Sequence, residues 1–167
     1  MKKLLFIATF LVVGIFNAQD NFQKDENGLF VITNILEVPD ASKKDLYSKS
    51  IVYFTKKNAP NFQAIQSRDD ENSRLIAKSF ENLRTPKIGD TTIYPTWDVN
   101  CKDGRCKVII SNITFTHVNR QGELYNLENI PKSWIGKDRF VSDVYRAILN
   151  SYQNYSDFLK KGESNQW

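Results

Sequence analysis

The spacing of apolar residues switches between period two and a helical period along this chain, and the switches mark its elements. Leu29-Phe-Val-Ile-Thr-Asn-Ile-Leu36 is rich in β-branched and aromatic residues and predicts a strand, which Pro39-Asp40 breaks. Ser42 followed by Asp45 is a capping-box-like start, with Asp in the usual Glu place. The helix it opens puts Tyr47, Ile51 and Phe54 on one stripe with Leu46 alongside, and leaves Lys43, Lys49 and Lys56 outside. Lys56-Lys57 suit its C-terminus, and Pro60 lies just beyond. Two short strands are expected at Phe62–Gln66 and Arg74–Phe80, around a polar turn at Arg68–Asn72. Longer strands are expected at Thr92–Lys102 and Arg105–His117. A connection over 118–136 follows, and then a stripe through Phe140, Val144, Ile148, Tyr152, Tyr155 and Leu159 at helical spacing. At about 1.5 Å per residue such a helix can cross a whole sheet.

The order β-α-β-β-β-β-α implies an α+β domain, one antiparallel curved sheet with two helices packed on one face. Asp103-Gly104 between two strand-like runs is a strong hairpin signal and suggests a type I′ turn, with positive φ at both central residues. That loop pairs Lys102 with Arg105, Cys101 with Cys106, Val99 with Val108 and Trp97 with Ile110. The apolar stripe then faces the helices, while Tyr94, Asp98, Asn100 and Lys107 point the other way. After Ser111-Asn112 the apolar phase moves to Ile113 and Phe115, which suggests a bulge.

Cys101 and Cys106 are the chain's two cysteines. As a non-hydrogen-bonded pair their Cα atoms stand about 4.5 Å apart, inside the disulfide window. A closed zinc site needs about four ligands, and the one histidine, His117, is distant in sequence. A redox pair is usually C-x-x-C at a helix start. The pair is therefore read as a disulfide, with free buried thiols and a metal or redox pair as the alternatives.

Lys44-Asp45-Leu46-Tyr47 with a later aromatic at Phe54, Ala64-Ile65-Gln66, Asp70, and Lys102-Asp103-Gly104-Arg105 carry a resemblance. In these stretches the chain resembles an exported Bacteroidetes family of unknown function with a TBP-like fold, over roughly Gly28 to Phe115. The family often carries glycines after the acidic turn, where this chain has Ser73 and Ala77. The resemblance implies a fold and an exported address, and it brings no catalytic or ligand residues with it.

Met1-Lys2-Lys3, the uncharged apolar run Leu4–Phe16 and Asn17-Ala18 read as a signal peptide over residues 1–18, so export to the periplasm or secretion is expected. The run is shorter than the roughly 18 apolar residues of a membrane anchor, so no stable span is expected after cleavage. Residues 19–27 are then a flexible tail, 28–161 one domain and 162–167 a C-terminal tail. Losing Lys2 and Lys3 leaves 21 basic against 19 acidic side chains, lowering the net charge from +4 to +2. With the charges interspersed, and no genome in that compartment, nucleic acid is not expected as a partner.

No G-x-S-x-G, H-E-x-x-H, phosphate loop or dinucleotide fingerprint is present. His117 ends a strand, and Asp69-Asp70-Glu71 lacks the spacing of an EF-hand, so no catalytic residue, metal or cofactor is assigned. Tyr125 and Trp134 in the long connection either line a pocket against the open sheet face or pin the loop to the core; pinning is the favoured reading. The reading that emerges is a non-catalytic binding or accessory domain for an envelope protein or small ligand. Its ligand-binding candidates are Tyr94, Asp98, Lys107, Tyr125 and Trp134. The alternatives are a small hydrolase pairing Asp98 with Asp69 or Asp70, and a purely structural envelope protein.

Overall fold

A computed structural model describes residues 22–57, 62–85, 89–117, 123–130 and 136–161. The elements in chain order are β1 (Gln23–Lys24), β2 (Phe30–Glu37), α1 (Lys43–Lys57), β3 (Ile65–Asp69), β4 (Arg74–Lys78), β5 (Glu81–Thr85), β6 (Gly89–Lys102), β7 (Arg105–His117), β8 (Leu124–Asn126) and α2 (Lys137–Lys161). All strand pairs are antiparallel. The sheet runs β1-β2-β7-β6-β4-β3, with β5 on β6 and β8 on β7.

The β6–β7 hairpin is the spine. Its register is the expected one, with Cys101 opposite Cys106, Val99 opposite Val108 and Trp97 opposite Ile110. Two short strands share each of its flanks. β4 and β5 lie end to end along β6, and β2 and β8 along β7. β1, β5 and β8 were not anticipated from the sequence, and β3 runs on through Arg68 and Asp69, where the polar turn was expected.

The expected phase shift in β7 is a β-bulge. Thr96 faces Ser111 and Tyr94 faces Thr114, so Pro95 stands opposite two residues, Asn112 and Ile113. Asn112 takes φ 47°, a left-handed conformation that Asn tolerates better than most residues. Proline suits this place, because it has no N–H to leave unpaired where the ladder is interrupted.

The hairpin turn departs from type I′, for only Gly104 of its two central residues has positive φ, at 74°. The reason is tertiary. The Asp103 carboxylate accepts the backbone N–H of Lys43 at 2.7 Å, Gly104 N–H donates to Ala41 at 2.9 Å, and Val38 N–H donates to Gly104 at 2.8 Å. Contacts with the start of α1 outweigh the twist preference of an isolated hairpin. Ser42 Oγ accepts the Asp45 N–H at 3.1 Å, which is the anticipated cap.

Both helices cover one face. α1 buries Leu46, Tyr47, Ser50, Tyr53 and Phe54, and α2 buries a stripe from Phe140 to Leu159. Ser50 is polar yet buried because its hydroxyl bonds Leu46 O at 2.7 Å and the Tyr155 hydroxyl at 2.7 Å. Trp97, Phe54 and Tyr155 form the aromatic centre, with ring centroids 5.4 to 6.0 Å apart. Trp97 Nε1 donates to Ser79 Oγ at 2.9 Å, so the indole is buried with its polar atom satisfied. Lys57 Nζ joins the elements at one end, reaching Glu81 on β5 at 2.5 Å and Ser151 on α2 at 2.8 Å.

The domain begins earlier than expected. Phe22 is buried against Phe30 and Tyr145, each at 5.1 Å, and Gln23–Lys24 pair with β2, so residues 22–27 belong to the fold instead of a tail. The expected signal peptide and the C-terminal tail lie outside the described residues.

Candidate functional site

Strand alternation separates the sheet into a helix-covered face and an open one. On the open face the register sets Ile35, Lys107, Asn100, Arg74 and Asp69 side by side. The next row is Thr33, Ile109, Asp98, Ile76 and Ser67. Tyr94, Asp98 and Lys107 therefore share this face, as expected. Ile35 is 59% exposed there. Tyr94 stacks with Phe62 at 6.3 Å, and Phe62 meets Phe80 edge-on at 5.5 Å, an aromatic patch where β4 gives way to β5. Thr96 on the same face has a solvent-shielded hydroxyl with no hydrogen-bond partner among the described residues.

Arg74 grips Asp98 with two bonds, Nε to Oδ1 at 2.9 Å and Nη2 to Oδ2 at 2.6 Å. Their side chains are 48% and 28% exposed, so the pair adds about 0–1 kcal/mol and serves mainly to fix both side chains. Asp69 sits opposite Arg74 in the register. Its carboxyl is held below the usual range by the backbone N–H and side-chain amide of Asn72, and further by Arg74. Asp70 is on the other side of the sheet, bonded to Tyr47 and Arg68. The fold thus brings Asp98 and Asp69 to either side of one guanidinium, but does not join Asp98 to Asp70. Arg74 donates one bond to each Asp98 oxygen, which ties that carboxylate to the guanidinium.

Tyr125 does not join the open face. It pairs with Phe115 and stacks on it at 5.6 Å, and Phe115 in turn meets Phe140 of α2 at 5.1 Å. Glu128 accepts the Phe30 N–H at 3.0 Å, and Leu127 and Ile130 are buried. The described part of the connection is pinned to the helix side; Trp134 lies outside the described residues. His117 ends β7 opposite Thr91.

Cys101 and Cys106 face each other in register as buried, unbonded thiols. The neighbouring Cys106 thiol lowers the Cys101 pKa against the opposing effect of burial, while Cys101 and burial together raise that of Cys106. Among the described residues no group of three or more His, Cys, Asp or Glu side chains is arranged to hold a metal ion. No helix among them is long and apolar enough to cross a membrane.

On the helix side a cleft of about 550 Å³ lies between the start of α1, the β3–β4 turn and the Asp103-Gly104 loop. Tyr47 donates its hydroxyl to Asp70 Oδ1 at 2.7 Å, and Arg68 Nη2 donates to the same oxygen at 3.0 Å. The Tyr47 pKa is raised by burial and by Asp70, while the Tyr47 and Arg68 hydrogen bonds lower that of Asp70. Sequence reasoning missed this cleft. Its three walls were each visible, as a helix cap, an acidic turn and a hairpin loop, but nothing along the chain showed that they meet.

The family described as "Domain of unknown function (DUF4468) with TBP-like fold" matches residues 33–116. A TBP-like protein from Parabacteroides distasonis superimposes with a TM-score of 0.69 at 13% identity, covering 82% of this chain and 96% of that one. A DUF4468 family protein from Bacteroides ovatus gives a TM-score of 0.63 at 15% identity, covering 90% and 95%. No curated protein matches. At these identities the two structures establish the fold alone. The match spanning β2 to β7 establishes the family, and the chain belongs to the DUF4468 domain family, with its TBP-like fold.

Proposed function

We propose that this chain is an exported, non-catalytic binding domain whose open sheet face docks an envelope protein. The observation that carries the reading is Ile35, 59% exposed on a sheet face that neither α1 nor α2 covers, in the same row as Lys107 and beside Ile109. Exposed apolar groups ringed by polar ones mark interaction surfaces. Lys107 and Lys78 make no ion pair among the described residues, which favours a partner with an apolar centre and an acidic rim. Pleated rows in register suit a protein surface better than a small ligand. Arg74 and Lys78 alternate with Asp69 and Asp98, so a nucleic acid backbone would meet both signs of charge. Export rests on the basic start and apolar run at residues 1–16.

The test is site-specific photocrosslinking in the native envelope. A crosslinker at Ile35 or Lys107 should capture one protein, and a crosslinker at exposed Asn154 on α2 should not. Equal capture from all three positions, or none from Ile35 and Lys107, would overturn the reading.

A further inference from the structure

We propose that the helix-side cleft is a second binding site, one that takes a small ligand through an oxyanion, either a carboxylate or a phosphate group. It is independent of the open sheet face and lies across the sheet from it. Its volume of about 550 Å³ is that of a small-molecule pocket. The groups that point to an anion are lysines without a carboxylate partner among the described residues. Lys44 and Lys43 both line the cleft; Lys43 Nζ meets only the Glu71 carbonyl, at 3.1 Å, and Lys44 has no ion-pair partner among the described residues.

Ser73 supplies a separate indication. It is 5% exposed and lines the cleft, and its hydroxyl makes no hydrogen bond among the described residues. Unlike the shielded hydroxyls of Thr91 and Thr96, it is open to solvent on the cleft side, where it can donate to a ligand oxygen. Ser73 also holds φ 55°, a strained conformation for a non-glycine residue.

The acids of the cleft are already engaged. Asp103 accepts the Lys43 N–H, and Asp70 accepts from both Tyr47 and Arg68. Arg68 spends one of its five N–H groups on Asp70 and keeps others for a ligand oxygen. Three cations against two committed carboxylates leave the lining with an excess of one positive charge. Ile51 gives the ligand an apolar wall.

Amide chemical shifts of the mature chain, titrated at constant ionic strength with inorganic phosphate and separately with succinate, test this. The expected result is saturable shifts at Lys44, Tyr47, Ser73 and Asp103 with at least one probe. The stronger probe tells a phosphate ligand from a carboxylate one. Lys44→Gln, on an exposed side chain, should weaken binding about tenfold, as loss of a charged hydrogen bond does. Ser73→Gly, which suits the positive φ, should weaken it by a smaller factor, and Lys107→Gln on the open face should leave it unchanged. Unsaturable shifts with both probes, or binding that Lys44→Gln and Ser73→Gly leave intact, would overturn the site.

Discussion

The Asp103 carboxylate accepts the backbone N–H of Lys43 at 2.7 Å, so the tip of the β6–β7 hairpin caps a helix that begins 60 positions earlier. The first N–H groups of a helix have no partner within it, and a negative charge there also meets the positive end of the helix dipole. Replacing Asp103 with Ala should cost about 1 kcal/mol, within the range for lost caps, and Asp103→Asn should recover part of it. Urea unfolding of the two variants measures both. Equal stability of Asp103→Ala and the parent would show that the contact adds nothing.

Cys101 and Cys106 are the next pair whose position invites a covalent step. Both cysteines are buried in the folded chain, so the step belongs to folding, with Cys101 still accessible. Cys101 would displace one sulfur of an oxidised dithiol oxidoreductase. Cys106 would then displace the mixed disulfide, and two electrons and two protons would pass to the carrier. Closing so short a loop should add about 2 kcal/mol. The protein from an oxidising compartment should therefore lose that stability on adding reductant, and a Cys101→Ala/Cys106→Ala double variant should be indifferent to reductant. Uptake of two alkyl groups on unfolding without reductant would refute the bond.

Asp69 and Asp70 both have pKa values below the ordinary carboxylate range in the folded chain, through Asn72 and through Tyr47 with Arg68. A depressed folded value gives stability that is present above the unfolded pKa of about 3.9 and is lost as pH falls through the folded value. Tyr47, raised by burial and by Asp70, works at the other end: its contribution is present below about pH 10 and is lost as pH rises through its folded value. Stability measured against pH should fall on the acid side, and Asp70→Asn should be closest to the parent at the lowest pH. An unchanged acid limb in Asp69→Asn and Asp70→Asn would show that other carboxylates govern it.

The central hairpin could be derived from the sequence because two independent signals agree there. Asp103-Gly104 sets the loop, and period-two alternation from Trp97 to Ile110 sets the faces. Tyr94, Asp98 and Lys107 were assigned to one face for the same reason. Glu81–Thr85 gave no such signal: Glu-Asn-Leu-Arg-Thr has little β propensity, and its pairing with β6 holds it in the sheet. For Tyr125 the sequence left two readings, with pinning to the core favoured, because its pairing with Phe115 depends on β8, a three-residue strand. Ser50 reads as a solvent position until Tyr155, 105 positions away, supplies its partner. The cleft was hidden for the same reason, since its walls meet only through tertiary contacts.

Asn112 gives the sharpest test of a feature anticipated from periodicity. Its φ of 47° belongs to the bulge that moves the buried phase from Ile110 to Ile113, and its side chain is exposed. Substitution there therefore probes the backbone with little change in packing. Asn112→Gly should hold or raise stability, because glycine enters this region without strain. Asn112→Val should lose about 1–2 kcal/mol, the cost of a left-handed conformation for a side chain that tolerates it poorly. The bulge also aims Phe115 at Phe140, so the valine variant should loosen the packing at the start of α2. Amide exchange at the first turns of α2 should then be faster in Asn112→Val than in Asn112→Gly. Matching urea midpoints for the two variants would mean that the strand relaxes out of the bulge at little cost.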